Sequence, residues 1–285
     1  MINRLVIIGV GLIGGSLALA LRKAGFVGEI IGSSRREPHL QKAVELGVID
    51  RYDLDMASAV EGADVVFLSV PLGAMRGVFE AIRPALGAET IITDGGSAKG
   101  CVVRDAEAVF GSVPKGLVPG HPIAGTEQSG VGAAFAELYQ DRRVILTPLE
   151  TTAPEALNTV RAMWQAAGAL VEEMAVSHHD EVLAATSHLP HMLAFGLVDS
   201  LARMKDNDEI FRYAAGGFRD FTRIASSDPV MWRDICLYNR DAVLKMTESY
   251  HRDLDEMMQA IERGDGDALL EIFSRAKAAR DRFCG

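Results

Sequence analysis

The chain has 285 residues, of which 48% are apolar and 24% charged, and this globular composition excludes disordered and collagen-like chains. The formal net charge of −10 argues against general nucleic-acid binding, because that binding depends on neutralising phosphates. Three cysteines without a C-x-x-C pair fit a reducing compartment, so we expect a cytoplasmic protein with no membrane-spanning segment. At roughly 100–200 residues per domain, this length predicts two domains.

Short apolar segments alternate with helical patterns through the first part of the chain. This alternation predicts a doubly wound, mostly parallel α/β sheet over residues 1–175. The predicted strands are 4–9, 29–33, 64–70, 90–93, 115–119, 143–147 and 170–174.

A helical pattern replaces the strand pattern from Ser177 onward, so residues 176–285 are predicted to form an all-α domain. Residues 177–180 have the form of a capping box at the start of a helix. This helix is expected to run toward Met204 and to be bent or interrupted at Pro190.

A longer helix is predicted from about residue 230 to residue 263, between the Ser-Asp-Pro start at 227–229 and Gly264. At 1.5 Å per residue it would be about 50 Å long, which exceeds the width of a small domain. Such a helix usually packs against a partner, so we expect a homodimer through the helical domain. Asp267 is predicted to cap a last helix that ends near Phe283.

A glycine motif, G-x-G-x-x-G, follows the first predicted strand and consists of Gly9, Gly11 and Gly14 with Leu12 and Ile13 before the last glycine. Gly9 allows a tight turn and Gly11 lets the backbone approach a pyrophosphate. Gly14 lets the following helix pack closely on the strand, and the helix N-terminus holds the pyrophosphate. The strand before the motif and the helix after it favour a Rossmann-type dinucleotide site over a merely glycine-rich turn.

The second predicted strand ends without the Asp or Glu that binds the ribose 2′-hydroxyl of NAD. Its place is taken by Ser34, Arg35 and Arg36, a hydroxyl and two guanidiniums that suit a 2′-phosphate, so NADP is the favoured cofactor. The alternative is that the arginines are solvated or stack on adenine and that NAD is accepted. Val70 and Pro71 end another strand where the ribose and pyrophosphate would lie.

His121 follows the strand predicted at 115–119 and lies in a predicted loop between Gly120 and Pro122. This position is on the same rim of the sheet as the nicotinamide. A lone histidine is more often structural than catalytic, but a loop position beside a hydride acceptor favours a catalytic or substrate-binding role.

The other histidines are given less specific roles. His188 and His191 are spaced by three residues with Pro190 between them and without a companion Cys or carboxylate signature, so we expect no metal site. His191 is expected to pack or to hydrogen-bond internally. His178 and His179 fit the first turn of a helix and are assigned no function.

Five further segments carry motifs in a fixed order along the chain: 94–99, 120–125, 187–191, 216–223 and 227–232. Together with the glycine motif, they resemble the prephenate/arogenate dehydrogenase family of tyrosine biosynthesis. The resemblance spans nearly the whole chain, and several of these motifs are specific to that family in combination.

The resemblance implies the NAD(P)-dependent oxidative decarboxylation of prephenate, arogenate or both to 4-hydroxyphenylpyruvate, tyrosine or both. It implies that His121 accepts a hydrogen bond and then a proton from the ring hydroxyl, which a neutral imidazole can do near pH 7. It also implies that Ser97 orients His121, the nicotinamide or both. No motif discriminates between the two substrates.

The resemblance also implies how the substrate is bound. Arg223 matches the family's substrate-carboxylate arginine, and Arg219 resembles a position from which a basic residue reaches the substrate across the dimer interface. His188 is expected to contact the substrate. Thr126 and Glu127 match positions that line the mouth of the pocket.

Two other kinds of protein would share the predicted dinucleotide-binding domain. A β-hydroxyacid dehydrogenase has a similar architecture, but its catalytic Lys followed by Asn four residues later is absent, since Lys205 precedes Asn207 by two and Lys245 has no Asn at that offset. A non-catalytic NADP-binding sensor would leave His121 without a purpose. The histidine and arginine residues together favour an enzyme.

Overall fold

The computed structural model describes residues 1–126, 128–205 and 207–284. They divide into two compact units, residues 1–240 and 241–285. The domain border predicted between residues 175 and 176 lies within the first unit and stays a prediction. None of the helices in the described ranges has both the length and the apolar character that crossing a membrane requires.

The first unit is built on a six-stranded parallel sheet, as the alternating pattern predicts. Its strands are β1 (Ile2–Ile8), β2 (Val27–Ser33), β3 (Arg51–Tyr52), β4 (Val65–Leu68), β5 (Ile91–Asp94) and β6 (Leu117–Val118), in the order β3-β2-β1-β4-β5-β6. The strand order reverses between β1 and β4, and open α/β sheets bind ligands at the carboxyl edge of such a reversal.

Helices cover both faces of this sheet. They are α1 (Leu12–Lys23), α2 (Glu37–Glu45), α3 (Met56–Val60), α4 (Met75–Ile82), α5 (Gly100–Phe110) and α6 (Pro154–Ala166). Alternate residues of β1 belong to different cores, since Leu5 and Ile7 pack with α1 and α6 whereas Val6 and Ile8 pack with α3, α4 and α5. Burial on both faces explains why residues 5–8 of β1 form a continuous apolar run.

A second, three-stranded sheet follows the first. It consists of β7 (Gly120–Pro122), β8 (Arg143–Leu146) and β9 (Leu170–Glu173), with β7 antiparallel and β9 parallel to β8. The expectation of a loop at His121 is wrong, because β7 pairs His121 with Ile145. Pro119 has no N–H to continue the first sheet, and its carbonyl accepts a hydrogen bond from Thr147, which follows β8.

Helices occupy the rest of the first unit. They are α7 (Val176–Leu183), α8 (Leu189–Ala202), α9 (Asn207–Arg212), α10 (Gly216–Thr222) and α11 (Pro229–Tyr238). A π-helical segment at Ala184–His188 separates α7 from α8. This is the interruption expected near Pro190, whose missing N–H cannot bond to the carbonyl of Thr186 in an α-helical pattern.

Two predicted helix details are wrong in this region. Residues 177–180 do not form a capping box, because α7 begins at Val176 and has no side-chain cap, while the Asp180 carboxylate bonds to the start of α5. The single helix predicted from 230 to 263 is interrupted at Asn239, whose backbone is not helical. The Ser-Asp-Pro start is confirmed, since Asp228 accepts a hydrogen bond of 2.8 Å from the N–H of Met231.

The second unit contains α12 (Arg240–Arg263), except for its first residue, and α13 (Gly266–Cys284). Gly264 ends α12 with a φ of +64°, as expected. The predicted cap is wrong by two residues, since Asp265 and not Asp267 accepts the N–H of Ala268, at 3.0 Å. Large apolar side chains of both helices are exposed: Leu244, Leu254, Met258, Ile261, Leu270 and Phe273. The homodimer expected from this region stays a prediction.

Candidate active site

The glycine motif joins β1 to α1 at the carboxyl edge of the parallel sheet. Gly9 has a φ of +94°, and a Cβ there would lie 2.2 Å from the backbone oxygen of Ser69. A Cβ on Gly14 would lie 2.7 Å from both the Gly9 oxygen and Ile7 Cγ2, so this glycine allows α1 to pack on β1. A Cβ on Gly11 would meet nothing within 4 Å, and no side chain caps α1 there. The helix N-terminus therefore fits a phosphate.

A cavity of about 630 Å³ runs along this edge of the sheet. Among its lining residues are seven of the predicted cofactor residues: Gly9, Gly11, Ser34, Arg35, Arg36, Val70 and Pro71. Leu12, Ile13 and Gly14 are instead part of α1. His39 and Ser129 also line the cavity and were not predicted, although His39 lies only three residues beyond the Arg35-Arg36 pair.

His121 is almost buried on β7, with 9% of its surface exposed. Its Nδ1 lies 2.9 Å from Nε2 of His179, and Nδ1 of His179 lies 2.9 Å from Oδ1 of Asp180. The Asp180 carboxylate also accepts the backbone N–H groups of Lys99 and Gly100, each at 2.8 Å. A histidine with no predicted function thus connects His121 to a carboxylate.

The direction of the protons in this chain of hydrogen bonds follows from its carboxylate end. An ionised Asp180 can only accept, so His179 carries its proton on Nδ1 and its Nε2 is an acceptor. His121 must then donate from Nδ1 to His179. A neutral His121 is therefore left with a lone pair on Nε2, the nitrogen through which it can take a proton.

The protonation states required by this arrangement agree with the environment. Burial, then the nearby His179 and Lys99, lowers the pKa of His121 well below its ordinary value of 6.5. Burial also lowers the pKa of His179, although its hydrogen bond to Asp180 opposes this. Burial favours the protonated form of Asp180, but the hydrogen bonds from His179, Lys99 and Gly100 lower its pKa overall. At neutral pH both imidazoles are uncharged and the carboxylate is ionised.

A buried ion pair fixes the backbone immediately before His121. Lys99 Nζ pairs with Oδ2 of Asp94, and neither side chain is exposed. Lys99 Nζ also donates to the carbonyl of Gly120 at 2.7 Å, while Oδ1 of Asp94 accepts the Gly120 N–H at 3.2 Å. The ion pair therefore holds β7 against the 95–99 loop, which carries the half-buried Ser97. Asp94 and Lys99 both belong to the 94–99 motif, but their pairing was not predicted.

His188 is 1% exposed, and its Nδ1 lies 3.1 Å from the side-chain nitrogen of Asn239. Its Nε2 has no hydrogen-bond partner within the described residues. Burial lowers the pKa of His188 to about 4, and the charge of Asp180, followed by the Ser97 backbone, acts in the opposite direction. His188 is therefore neutral and lies beside the loop of Ser97.

His191 of α8, Trp232 of α11 and Arg223, which follows α10, lie near one another. The His191 ring stacks on Trp232 with centroids 3.6 Å apart, and Trp232 also meets the His188 ring at 6.2 Å. His191 donates from Nδ1 to the carbonyl of Ser187 at 2.8 Å, which is the internal role expected for it. Burial and then the charge of Arg223 lower the pKa of His191, which brings Arg223 into this group.

Two predicted residues, Arg219 and Thr126, are not joined to this group within the described part of the chain. Arg219 is exposed on α10, one turn before Arg223. Thr126 is exposed after β7, and its hydroxyl accepts the N–H of Gln128 at 3.2 Å. Glu127 lies outside the described residues.

Two family models together match most of the chain. The family model described as prephenate dehydrogenase, nucleotide-binding domain matches residues 17–173, and the one described as prephenate dehydrogenase, dimerization domain matches residues 175–275. The chain belongs to the prephenate dehydrogenase family. Members of this family are oxidoreductases, and a nucleotide-binding domain with the cavity described above supports the use of NAD(P).

Several relatives match the chain over nearly its full length. The cyclohexadienyl dehydrogenase of Zymomonas mobilis is 40% identical over 98% of this chain and 95% of its own. The prephenate dehydrogenase of Bacillus subtilis is 37% identical over 98% of this chain and 76% of its own. These lengths and identities extend the family assignment to the whole described chain.

Solved structures of family members have the same fold. The prephenate dehydrogenase of A. aeolicus, in complex with hydroxyphenyl propionate and NAD+, has a TM-score of 0.92 and 40% identity over 99% of this chain and 98% of its own. The arogenate dehydrogenase of Synechocystis has a TM-score of 0.82 and 30% identity over 98% of this chain and 99% of its own.

The glycine motif makes two contrasting substitutions informative. Gly9→Ala is expected to lower the free energy of unfolding by at least about 1–3 kcal/mol, because the positive φ and the Ser69 oxygen both oppose a Cβ. Gly11→Ala is expected to fold normally but to bind NADH and NADPH more weakly, because its Cβ would project into open space beside the helix N-terminus. Chemical denaturation and fluorescence titration with both nucleotides measure these effects. Unchanged nucleotide affinity in Gly11→Ala would place the pyrophosphate elsewhere.

The Lys99–Asp94 pair predicts a large loss of stability when one charge is removed. Lys99→Met leaves the Asp94 carboxylate buried without its cation, so we expect the free energy of unfolding to fall by about 3–5 kcal/mol. The double variant Asp94→Asn/Lys99→Met is expected to recover part of that loss. Lys23→Met, which breaks an exposed pair with Glu137, is the control and should change little. Equal denaturation midpoints for Lys99→Met and Lys23→Met would contradict the proposed importance of the buried pair.

Proposed function

We propose that the protein catalyses the NAD(P)-dependent oxidative decarboxylation of prephenate, arogenate or both to 4-hydroxyphenylpyruvate, tyrosine or both. The observation that carries this proposal is the neutral, buried His121, whose Nδ1 is held by His179 and whose Nε2 is left as a proton acceptor. The names of the relatives give the same substrates, since they are cyclohexadienyl, prephenate and arogenate dehydrogenases.

His121 supplies the acid–base part of this reaction. Its Nε2 accepts a hydrogen bond from the ring hydroxyl and holds the proton while the carbon–oxygen bond gains carbonyl character. Bound NAD(P)+ accepts the hydride from the same ring carbon. The bond to the ring carboxylate breaks, CO2 leaves, and the bonding electrons complete the aromatic ring. His121 then returns the proton to the phenol oxygen, so no net base is consumed.

His179 and Asp180 assist by holding His121 in one tautomer and one orientation. When His121 takes up the hydroxyl proton, its Nδ1–H stays hydrogen-bonded to Nε2 of His179, whose own proton is held by the Asp180 carboxylate. Burial, assisted by the charge of Lys99, opposes protonation of His121 and keeps the imidazole neutral between turnovers. These residues therefore favour transient proton uptake over permanent protonation.

The substrate anion is assigned to a group of side chains on the helical elements and adjoining loops. We assign a substrate carboxylate to Arg223, whose guanidinium can bind it through two parallel hydrogen bonds. His188 and Ser97 lie beside each other and contribute polar contacts near the ring. Arg219 is assigned to the substrate bound by the second subunit, and Thr126 and Glu127 to the mouth of the pocket.

NADP is the preferred cofactor in this proposal. The cavity is lined at the end of β2 by Ser34, Arg35, Arg36 and His39, and none of its described lining residues is Asp or Glu. Hydroxyl, guanidinium and imidazole groups suit a 2′-phosphate, whereas a carboxylate would suit a free 2′-hydroxyl. NAD is the alternative, because the A. aeolicus relative was solved with NAD+.

The protein is proposed to act as a cytoplasmic homodimer. The support is the match of residues 175–275 to a dimerization domain and the exposed apolar side chains of α12 and α13. An exposed apolar face of this kind is usually covered by a partner.

Replacement of the proposed base tests the function. His121→Asn is expected to lower kcat/KM by a factor of about 100 or more with prephenate or arogenate, on the scale expected for the loss of a general base. The assay follows NADH or NADPH formation with each substrate and each cofactor. His251→Asn, an exposed histidine of α12, is the control and should retain activity. Absence of turnover by the wild-type protein in all four assays, despite nucleotide binding, would refute the proposed reaction.

The cofactor preference is tested on the two arginines. Arg35→Ala/Arg36→Ala is expected to raise the KM for NADP at least about tenfold and to leave the KM for NAD within about twofold, because only NADP carries the phosphate that they contact. Arg142→Ala, an exposed arginine before β8, is the matched control. Equal changes for both cofactors would mean that the arginines do not select the 2′-phosphate.

A further inference from the structure

Asn239 is buried at the interruption between α11 and α12, with 5% of its surface exposed. Its backbone N–H already ends α11 by bonding to the carbonyl of Ile235 at 2.9 Å. That bond needs no particular side chain. The side chain instead extends to two other segments: its nitrogen lies 2.9 Å from the carbonyl oxygen of Asp180 and 3.1 Å from Nδ1 of His188.

The two contacts of the Asn239 amide determine where His188 carries its proton. The amide nitrogen has two hydrogens, and a carbonyl oxygen can only accept, so one hydrogen goes to Asp180. The second hydrogen is directed to Nδ1 of His188, which must then accept. A neutral imidazole with an accepting Nδ1 carries its proton on Nε2.

The Nε2 of His188 is the nitrogen without a partner. It is buried, and within the described residues it makes no hydrogen bond, although a buried N–H without an acceptor is costly. The Ser97 backbone lies near enough to His188 to raise its pKa, but it makes no hydrogen bond of normal geometry with Nε2. After burial, His179 and Lys99, the charge of His188 also lowers the pKa of His121, so this imidazole belongs to the site that contains His121. A donor held in this way fits an oxygen atom supplied by a ligand.

We propose that Asn239 is a positioning residue that holds His188 in the Nε2–H tautomer, so that His188 donates a hydrogen bond to a carboxylate oxygen of the substrate. The inference rests on the proposed function for the identity of that substrate. Asp180 then serves both histidines of the site: its carboxylate fixes His121 as an acceptor through His179, and its carbonyl orients the amide that fixes His188 as a donor. The site thereby presents two neutral imidazoles with opposite hydrogen-bonding roles.

Asn239→Asp is the most specific variant, because it keeps the size of the side chain and replaces the donor by an acceptor. It should transfer the proton of His188 to Nδ1 or protonate the ring on both nitrogens. The matched control is Asn158→Asp, which makes the same chemical change at an exposed position of α6. Thermal unfolding of both variants reports any loss of fold.

The first readout is the tautomer itself, measured by long-range ¹H–¹⁵N correlation spectra of the full-length protein labelled with ¹⁵N-histidine, with His188→Gln for assignment. We expect the wild-type protein and Asn158→Asp to carry the His188 proton on Nε2, and Asn239→Asp to carry it on Nδ1 or on both nitrogens. A proton on Nδ1 in the wild-type protein, or an unchanged spectrum in folded Asn239→Asp, would overturn the proposal. This measurement requires no turnover, so it is independent of the proposed reaction.

The second readout separates positioning from a general structural role. Asn239→Asp is expected to raise the KM for the substrate about tenfold or more and to change kcat by less than about threefold, because the hydrogen bond to the substrate carboxylate is present in the ground state and the transition state alike. An unchanged KM in Asn239→Asp, or an equal rise of KM in Asn158→Asp, would overturn the role of Asn239. Absence of wild-type turnover would instead refute the proposed function and leave the tautomer result standing.

Discussion

The Asp180 carboxylate joins segments of the chain that lie far apart in sequence, and the arrangement of the site depends on it. It accepts hydrogen bonds from the backbone N–H groups of Lys99 and Gly100 at the start of α5, and another from Nδ1–H of His179 on its own helix. Because these donors lower its pKa despite burial, it stays ionised and can only accept. That single property sets the direction of every hydrogen bond between it and His121.

The buried charges of the site are compensated within a short distance. Asp94 and Lys99 neutralise each other and form hydrogen bonds with the N–H and the carbonyl of Gly120. His121 is therefore positioned through the adjoining main chain as well as through its ring. Burying an ion pair costs desolvation energy, and a hydrophobic pair of similar volume is often equally stable. We interpret the pair as serving geometry and electrostatics, because it places a cation near His121 that opposes its protonation.

The sequence predicts the parallel sheet, the glycine motif and the cofactor edge because these depend on local periodicity and on residues close together in the chain. It does not predict the hydrogen bonds that hold the two histidines of the site. His179 is 58 residues away from His121 in sequence, and Asn239 is 51 residues away from His188. The capping-box pattern at 177–180 failed for the same reason: Asp180 has a better partner in α5 than in its own helix. Asn239 likewise lies in an apolar pattern that looks continuous, and only the fold shows that its amide bonds to Asp180.

The central claim is that His121 acts as a neutral base whose pKa is held well below 6.5 by burial and by its neighbours. The pH dependence of kcat/KM for the wild-type enzyme, which reports the pKa of the base in the free protein, tests this most directly. A base of lowered pKa is active above that pKa and loses activity only when it becomes protonated. We therefore expect the acidic limb of the profile to fall well below pH 6.5. The account would be contradicted by an acidic limb that lies at or above pH 6.5 and that stays at the same pH when His121 is replaced.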